Sequence, residues 1–222
     1  MVQLKRVEAV PAVFKGKMGY NIKVNDPRAT LQDYIDAVEM FISGSGCFRS
    51  RKPELETCYG CDLCCQERIP VTMVDVFNLT GPNVEEAFKK FLHVYVDRRV
   101  VDITMALDGR GKCIFLDNTK GTCTVYNMRP LVCRTFICCP STGGAKKLRE
   151  EIVNTGEDEL VRSWFLTGEN GITPIIHEGV SPSPDISDYP PTPFARTRDY
   201  NKIRIKDVCS PQTWKRLTTT NK

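Results

Sequence analysis

Four cysteines fall within eight residues in Cys58-Tyr-Gly-Cys61-Asp-Leu-Cys64-Cys65, with two C-x2-C steps sharing Cys61. Thiols three residues apart, with a glycine to ease the turn, can face one centre, which is why this spacing recurs at zinc and iron–sulfur sites. Core thiols would follow a helical or strand period, and these do not. The adjacency of Cys64 and Cys65 carries a further expectation. Neighbouring side chains diverge in strand and helix, so if Cys64 completes a site with Cys58 and Cys61, Cys65 faces elsewhere.

A second group lies downstream. Cys113, Cys123 and Cys133 are separated by nine residues each time, a distance that lets two hairpin ends and the following turn converge. Cys138 and Cys139 follow, and Cys139-Pro140 has the cysteine–proline order that closes bacterial ferredoxin sites. Arg129 and Arg134 bracket Cys133, where they would offset the net charge of about −2 left by four thiolates on a divalent ion. Cys47 reads as a small core residue. His93 and His177 read as surface side chains. No Ser/His/Asp or Cys/His arrangement and no phosphate-cradling loop is present, so hydrolysis and nucleotide use have no support in the sequence.

The elements that must hold these thiols follow from periodicity. Residues 10 to 24 read as a hairpin broken by Gly16 and Gly19. Asn25-Asp-Pro27 reads as the start of a helix spanning 28 to 43, with Leu31, Tyr34, Ile35, Val38, Phe41 and Ile42 on one face. Thr72 caps a short helix together with Asp75. Asn83 and Glu86 start another that is predicted to run to residue 96. Valine, isoleucine and threonine then dominate, and turns at 108–111 and 117–121 predict a meander of strands 100–107, 112–116 and 122–126. Two packing helices follow at 145–153 and 157–166. Beyond Gly168 the prolines predict an extended arm lying on a partner or on its own domain.

Composition sets the outer bounds. The chain has 222 residues, 41% of them hydrophobic, enough for one substantial core. Its 31 basic and 27 acidic residues interleave to give a net charge of +4, a solvated surface rather than a nucleic-acid footprint. No apolar run spans a bilayer and the first residues lack an apolar secretion segment, so a reducing cytoplasm is expected, where 11 cysteines stay available to metal.

Together, Cys58-x2-Cys61-x2-Cys64-Cys65, Lys112-Cys-Ile-Phe-Leu116, Cys123-Thr-Val-Tyr126 and Arg129-Pro130-x2-Cys133-Arg134 resemble the CxxCxxCC cysteine-cluster family of bacteria and archaea, over about residues 58 to 136. The resemblance implies a zinc- or iron-chelating domain with Cys58, Cys61, Cys64, Cys65, Cys113, Cys123 and Cys133 at the family's positions. Cys138 and Cys139 lie beyond the shared motif. A flagellin lysine methylase of enteric bacteria is similar in this domain and is associated with an iron–sulfur cluster and S-adenosylmethionine, so lysine methylation is a further reading by analogy.

The expectations are therefore an α+β fold, with a metal-binding domain over residues 1–168 and a proline-rich arm over 169–222. One centre uses Cys58, Cys61 and Cys64. A second uses Cys65, Cys113, Cys123 and Cys133, with Cys138 or Cys139 as substitutes. An iron–sulfur cluster of the 4Fe-4S type, one or two per chain, is favoured over zinc. An electron-transfer role for a partner enzyme is favoured over a zinc-bound structural or interaction module, with no nucleic-acid partner and no membrane insertion.

Overall fold

A computed structural model describes residues 5–45, 47, 55, 59–135, 138–167, 174–195 and 197–219. Its architecture is α+β, with one connected apolar core shared by helices and small sheets. Strands β1 (Val7–Phe14) and β2 (Lys17–Val24) form the expected hairpin. Lys15 and Gly16 both take positive φ (49° and 78°), the twist that a two-residue hairpin turn demands. Alternate β2 residues Tyr20, Ile22 and Val24 are buried.

Helix α1 (Leu31–Ser45) buries Leu31, Tyr34, Ile35, Val38 and Ile42 against the hairpin. It starts later than residue 28. Its cap is Thr30, whose hydroxyl accepts from the Asp33 N–H while the Asp33 carboxylate accepts from the Thr30 N–H. Asn25 instead donates to the Lys5 carbonyl. Helix α2 (Met73–Thr80) carries the Thr72/Asp75 capping box and stops at Gly81, as the sequence predicts.

The expected helix 83–96 is two elements. Helix α3 (Val84–Lys90) starts at the Asn83 cap and ends at Phe91, and residues Leu92–Asp97 form strand β3. Phe88, Phe91, Leu92 and Tyr95 fit a helical stripe, but Leu92, Val94 and Val96 also alternate at strand period, and pairing with the next strand settles residues 92–97 as extended. The expected meander is corrected in the same way. Strand β4 (Val100–Met105) pairs with β3, not with residues 112–116. Only β5 (Leu116–Asp117) and β6 (Thr122–Cys123) pair downstream, and 107 meets 113 through a single bridge.

Helix α4 (Leu131–Arg134) is one turn carrying Cys133, and α5 (Gly143–Thr167) is a single 25-residue helix where two were expected. Two glycines permit close approaches. A Cβ on Gly19 would lie 2.3 Å from the Pro140 carbonyl oxygen, and one on Gly156 would lie 2.6 Å from the Thr72 side chain. The first lets β2 lie along residues 140–142, where Tyr20 N–H donates to Pro140 C=O at 3.0 Å. The second seats α5 on the cap of α2.

The C-terminal segment lies on this same body. Strand β7 (Glu178–Val180) joins β3 in parallel, and the Tyr189 hydroxyl accepts from Val101 N–H at 2.9 Å. Helices α6 (Ile205–Val208) and α7 (Pro211–Thr218) follow, and Phe194, Tyr200, Ile203, Ile205 and Leu217 are buried in the common core. Among the described residues no helix is long and apolar enough to cross a membrane.

His177 is exposed, as expected, whereas the His93 side chain is largely enclosed. Their rings stack with centroids 5.4 Å apart, and His177 Nδ1 accepts the Val94 N–H at 3.1 Å, taking the place of a strand carbonyl. His177 Nδ1 must therefore stay unprotonated, and burial, with a smaller contribution from Arg68, holds its pKa below the ordinary value. An unfolded histidine titrates near about 6.5 and binds the proton that the folded ring refuses, so this contribution is complete above that pH and is lost as pH falls through it. Arg68, Glu178 and Asp102 surround the pair. Hydrogen exchange at pH 7.5 and 5.5 is expected to show the amides of Val94 and His177 losing protection at the lower pH before those of the β1–β2 hairpin. Equal protection at both values would refute the assignment.

Candidate metal centre

The thiols are carried by segments with little regular structure of their own. Gly60 at φ 79° turns the chain into a 3-10 helix, Leu63–Gln66, closed by Cys65 N–H donating to Asp62 C=O at 3.0 Å. Cys113 N–H donates to the Cys65 carbonyl, joining this turn directly to the downstream group. The Asp108 carboxylate accepts from the N–H groups of Arg110 and Lys112, fixing the turn before Cys113. Asp117 does the same for Thr119 and Lys120, and so sets the register that places Leu116 opposite Cys123. Lys112 pairs with Asp62 at 3.5 Å, binding the two cysteine-bearing turns from the outside.

Cys133 is positioned by a buried acid. Asp75 accepts the Leu131 N–H at 2.9 Å and the Tyr200 O–H at 2.6 Å, besides its capping contacts with Thr72. Burial pushes the Asp75 pKa up against these donors, which pull it down. The sequence marks Asp75 only as a cap, and its hold on α4 is a tertiary contact with no local signal.

These elements bring Cys61, Cys64, Cys65, Cys113, Cys123 and Cys133 to the wall of one cavity of about 50 Å³. The rest of the wall is largely apolar: Ile69, Met105, Phe115, Val125, Tyr126 and Pro130, with Arg129. Cys58 lies outside the described residues. Among the described residues no three cysteine, histidine, aspartate or glutamate side chains stand close enough together to form a ready coordination shell. The thiols surround the space without closing on a point, and binding an ion there requires side-chain rotation or a ligand from beyond the described set.

Two expectations change here. Cys64 and Cys65 do not diverge to separate sites: in the 3-10 turn both line the same cavity, and the hydrogen bond that Cys65 shares with Cys64 is the largest influence raising the Cys65 pKa. The two predicted groups of cysteines meet at one place. Cys138 and Cys139 are not brought there. Cys139 is buried and paired with Cys47 as a disulfide, Cα atoms 6.6 Å apart, and Cys138 lies near Tyr20. The close run of β2 along Pro140 fixes that pair on the hairpin side of the molecule.

The electrostatics disfavour ionised thiols in this cavity. Burial raises the pKa of Cys113, Cys123 and Cys133, and neighbouring thiols raise each further. Such a group ionises fully only with a cation among it, since a bound ion reverses the repulsion and deprotonates the thiols it touches. Arg129 acts in that direction on Cys123 and Cys133. It donates to the Tyr126 carbonyl at 2.9 Å and lies 3.9 Å over the Tyr126 ring. Arg134, expected beside it, turns away to form a bidentate pair with Glu39 at 3.0 and 2.8 Å.

Residues 57–156 match the model of a family described as CxxCxxCC, "Putative zinc- or iron-chelating domain". That segment is similar to the CxxCxxCC family. It holds all six cavity cysteines, and the matched donors are thiols throughout, the ligand type shared by zinc and iron–sulfur centres. No curated protein and no solved structure matches the chain.

Proposed function

We propose that the CxxCxxCC domain holds an iron–sulfur cluster and passes single electrons to or from a partner enzyme. The observation that carries this reading is the donor set: among the described residues six cysteines and no histidine or carboxylate line one cavity, and iron–sulfur clusters are held by thiolates whereas zinc sites draw on histidine and carboxylate as well. When bound, the cluster supplies reversible one-electron chemistry. The chain's own part is to hold and shield it. Ile69, Met105, Phe115 and Val125 keep water from the thiols, and Arg129 offsets thiolate charge at Cys123 and Cys133. Apolar surroundings and a fixed cation are the means by which proteins set such potentials.

Anaerobic purification followed by visible spectroscopy and by iron, sulfide and zinc analysis tests the reading. A brown protein with iron and acid-labile sulfide that is reduced above about −700 mV, the lower end of the iron–sulfur range, is the expected result. A colourless protein with stoichiometric zinc would overturn it in favour of a structural module. One observation fits that second reading: β5 and β6 have two residues each and α4 has four, so the cysteine-bearing segments would gain most from a metal staple.

A further inference from the structure

A second, much larger cavity of about 480 Å³ opens beside the cysteine centre, between α1 and the turn that precedes α4. Tyr126 and Arg129 belong to the walls of both spaces. Its volume falls within the roughly 300–1,000 Å³ common to small-molecule sites. The centre itself offers only about 50 Å³, so this neighbouring space is the one with room for a ligand.

The wall chemistry is specific. Arg129 and Arg134 both face the single carboxylate of Glu39, and Asp36 approaches Arg134 only to 4.0 Å from an exposed position. Glu39 occupies the Nε and Nη2 side of the Arg134 guanidinium. The Nη1 donors of Arg134 and the side-chain amide of Asn127 make no hydrogen bond to another described residue. A guanidinium held on one side by a carboxylate is already oriented, so a ligand meeting its remaining donors pays little ordering entropy.

We propose that this cavity binds a small molecule through an oxyanion, with Arg134 and Asn127 as donors and Arg129 supplying charge at the wall it shares with the cysteine centre. The shared chemistry is a carboxylate or a phosphate, both of which match the planar donors of arginine. Glu39 positions Arg134 and also competes for it. The site stands whichever metal the thiols bind.

Calorimetric titration of the full-length, metal-loaded protein with inorganic phosphate and, separately, with citrate tests this, with metal content measured on the same samples. Saturable binding of at least one anion is expected. Phosphate alone identifies a phosphate ligand, citrate alone a carboxylate. Arg134→Gln should weaken binding roughly tenfold or more, the worth of one charge-assisted contact. Glu39→Gln should strengthen it, because the competing carboxylate is gone; a misfolded variant would not produce that gain. Asn127→Ala, at an exposed position, should weaken binding without lowering the unfolding temperature. No saturable heat with either anion, or affinities unchanged by Arg134→Gln and Glu39→Gln in protein of full metal content, would overturn the proposal. Stoichiometric zinc with anion binding intact would count against the iron–sulfur reading alone.

Discussion

Cys64→Ser is expected to abolish stoichiometric metal binding, while Cys138→Ser leaves it intact. Cys64 is the thiol that the others most consistently meet: its charge raises the pKa of Cys65, Cys113, Cys123 and Cys133. It lines the cavity among those thiols, so on the proposed reading replacing it removes a ligand rather than an outer support. Losing even an outer support costs about 10–100-fold in metal affinity, so the ligand itself should cost more. The effect also reaches stability. A ligand present at about 1,000 times its dissociation constant stabilises the fold by about 4 kcal/mol, which for a chain of this size is roughly 8–16 °C in unfolding midpoint. Metal analysis and thermal unfolding of both variants check this. Full metal content in Cys64→Ser, or equal loss in Cys138→Ser, would remove the six-thiol cavity as the binding site.

That the two groups of cysteines converge was only half legible in the sequence. The spacing of Cys58, Cys61 and Cys64 announces a metal site, and the equal intervals of Cys113, Cys123 and Cys133 announce that a second set of turns gathers somewhere. Nothing in either pattern says that the two share one place. The joining contacts are tertiary: the Cys113 N–H on the Cys65 carbonyl, the Lys112–Asp62 pair, and the Leu131 N–H on Asp75. The rule that adjacent side chains diverge misled for a related reason. Cys64 and Cys65 stand on a 3-10 turn at the rim of a concave surface, where two directions can open on one space.

The hairpin, the Thr72 and Asn83 caps and the buried face of α1 were legible because each rests on local periodicity or on a cap within three residues. Where two periods fitted, local reading failed. Phe88 to Tyr95 satisfied a helix, and only the partner strand β4 decides that residues 92–97 are extended. His93 was misread because it was judged on its own segment, whereas the parallel pairing of β7 with β3 is what stacks His177 on it. The apolar wall of the cysteine cavity had no pattern at all: Ile69, Met105, Phe115 and Val125 come from four separate stretches.

Asp75→Ala is expected to be the most destabilising single change outside the cysteines, at about 3–5 kcal/mol. The carboxylate is fully enclosed and ties three parts of the chain: the N-terminus of α2 through Thr72, the start of α4 through the Leu131 N–H, and the C-terminal segment through Tyr200. Truncation leaves those donors buried without an acceptor, at about 1–3 kcal/mol for each group left unsatisfied. Three oxygen contacts link Thr72, Asp75 and Tyr200, and the two hydroxyl hydrogens fill only two of them, which leaves room for a proton on Asp75. Burial raises the Asp75 pKa, so a neutral side chain of the same shape is tolerated better than none, and Asp75→Asn should cost less than Asp75→Ala. Tyr200→Phe removes one hydroxyl and should cost about 1 kcal/mol. Denaturant unfolding of each variant, stripped of metal so that losses at Cys133 do not enter, measures the series. A cost below about 1 kcal/mol for Asp75→Ala would show that the segments meeting at Asp75 are held by apolar packing alone, and that α4 does not depend on this carboxylate to present Cys133 to the centre.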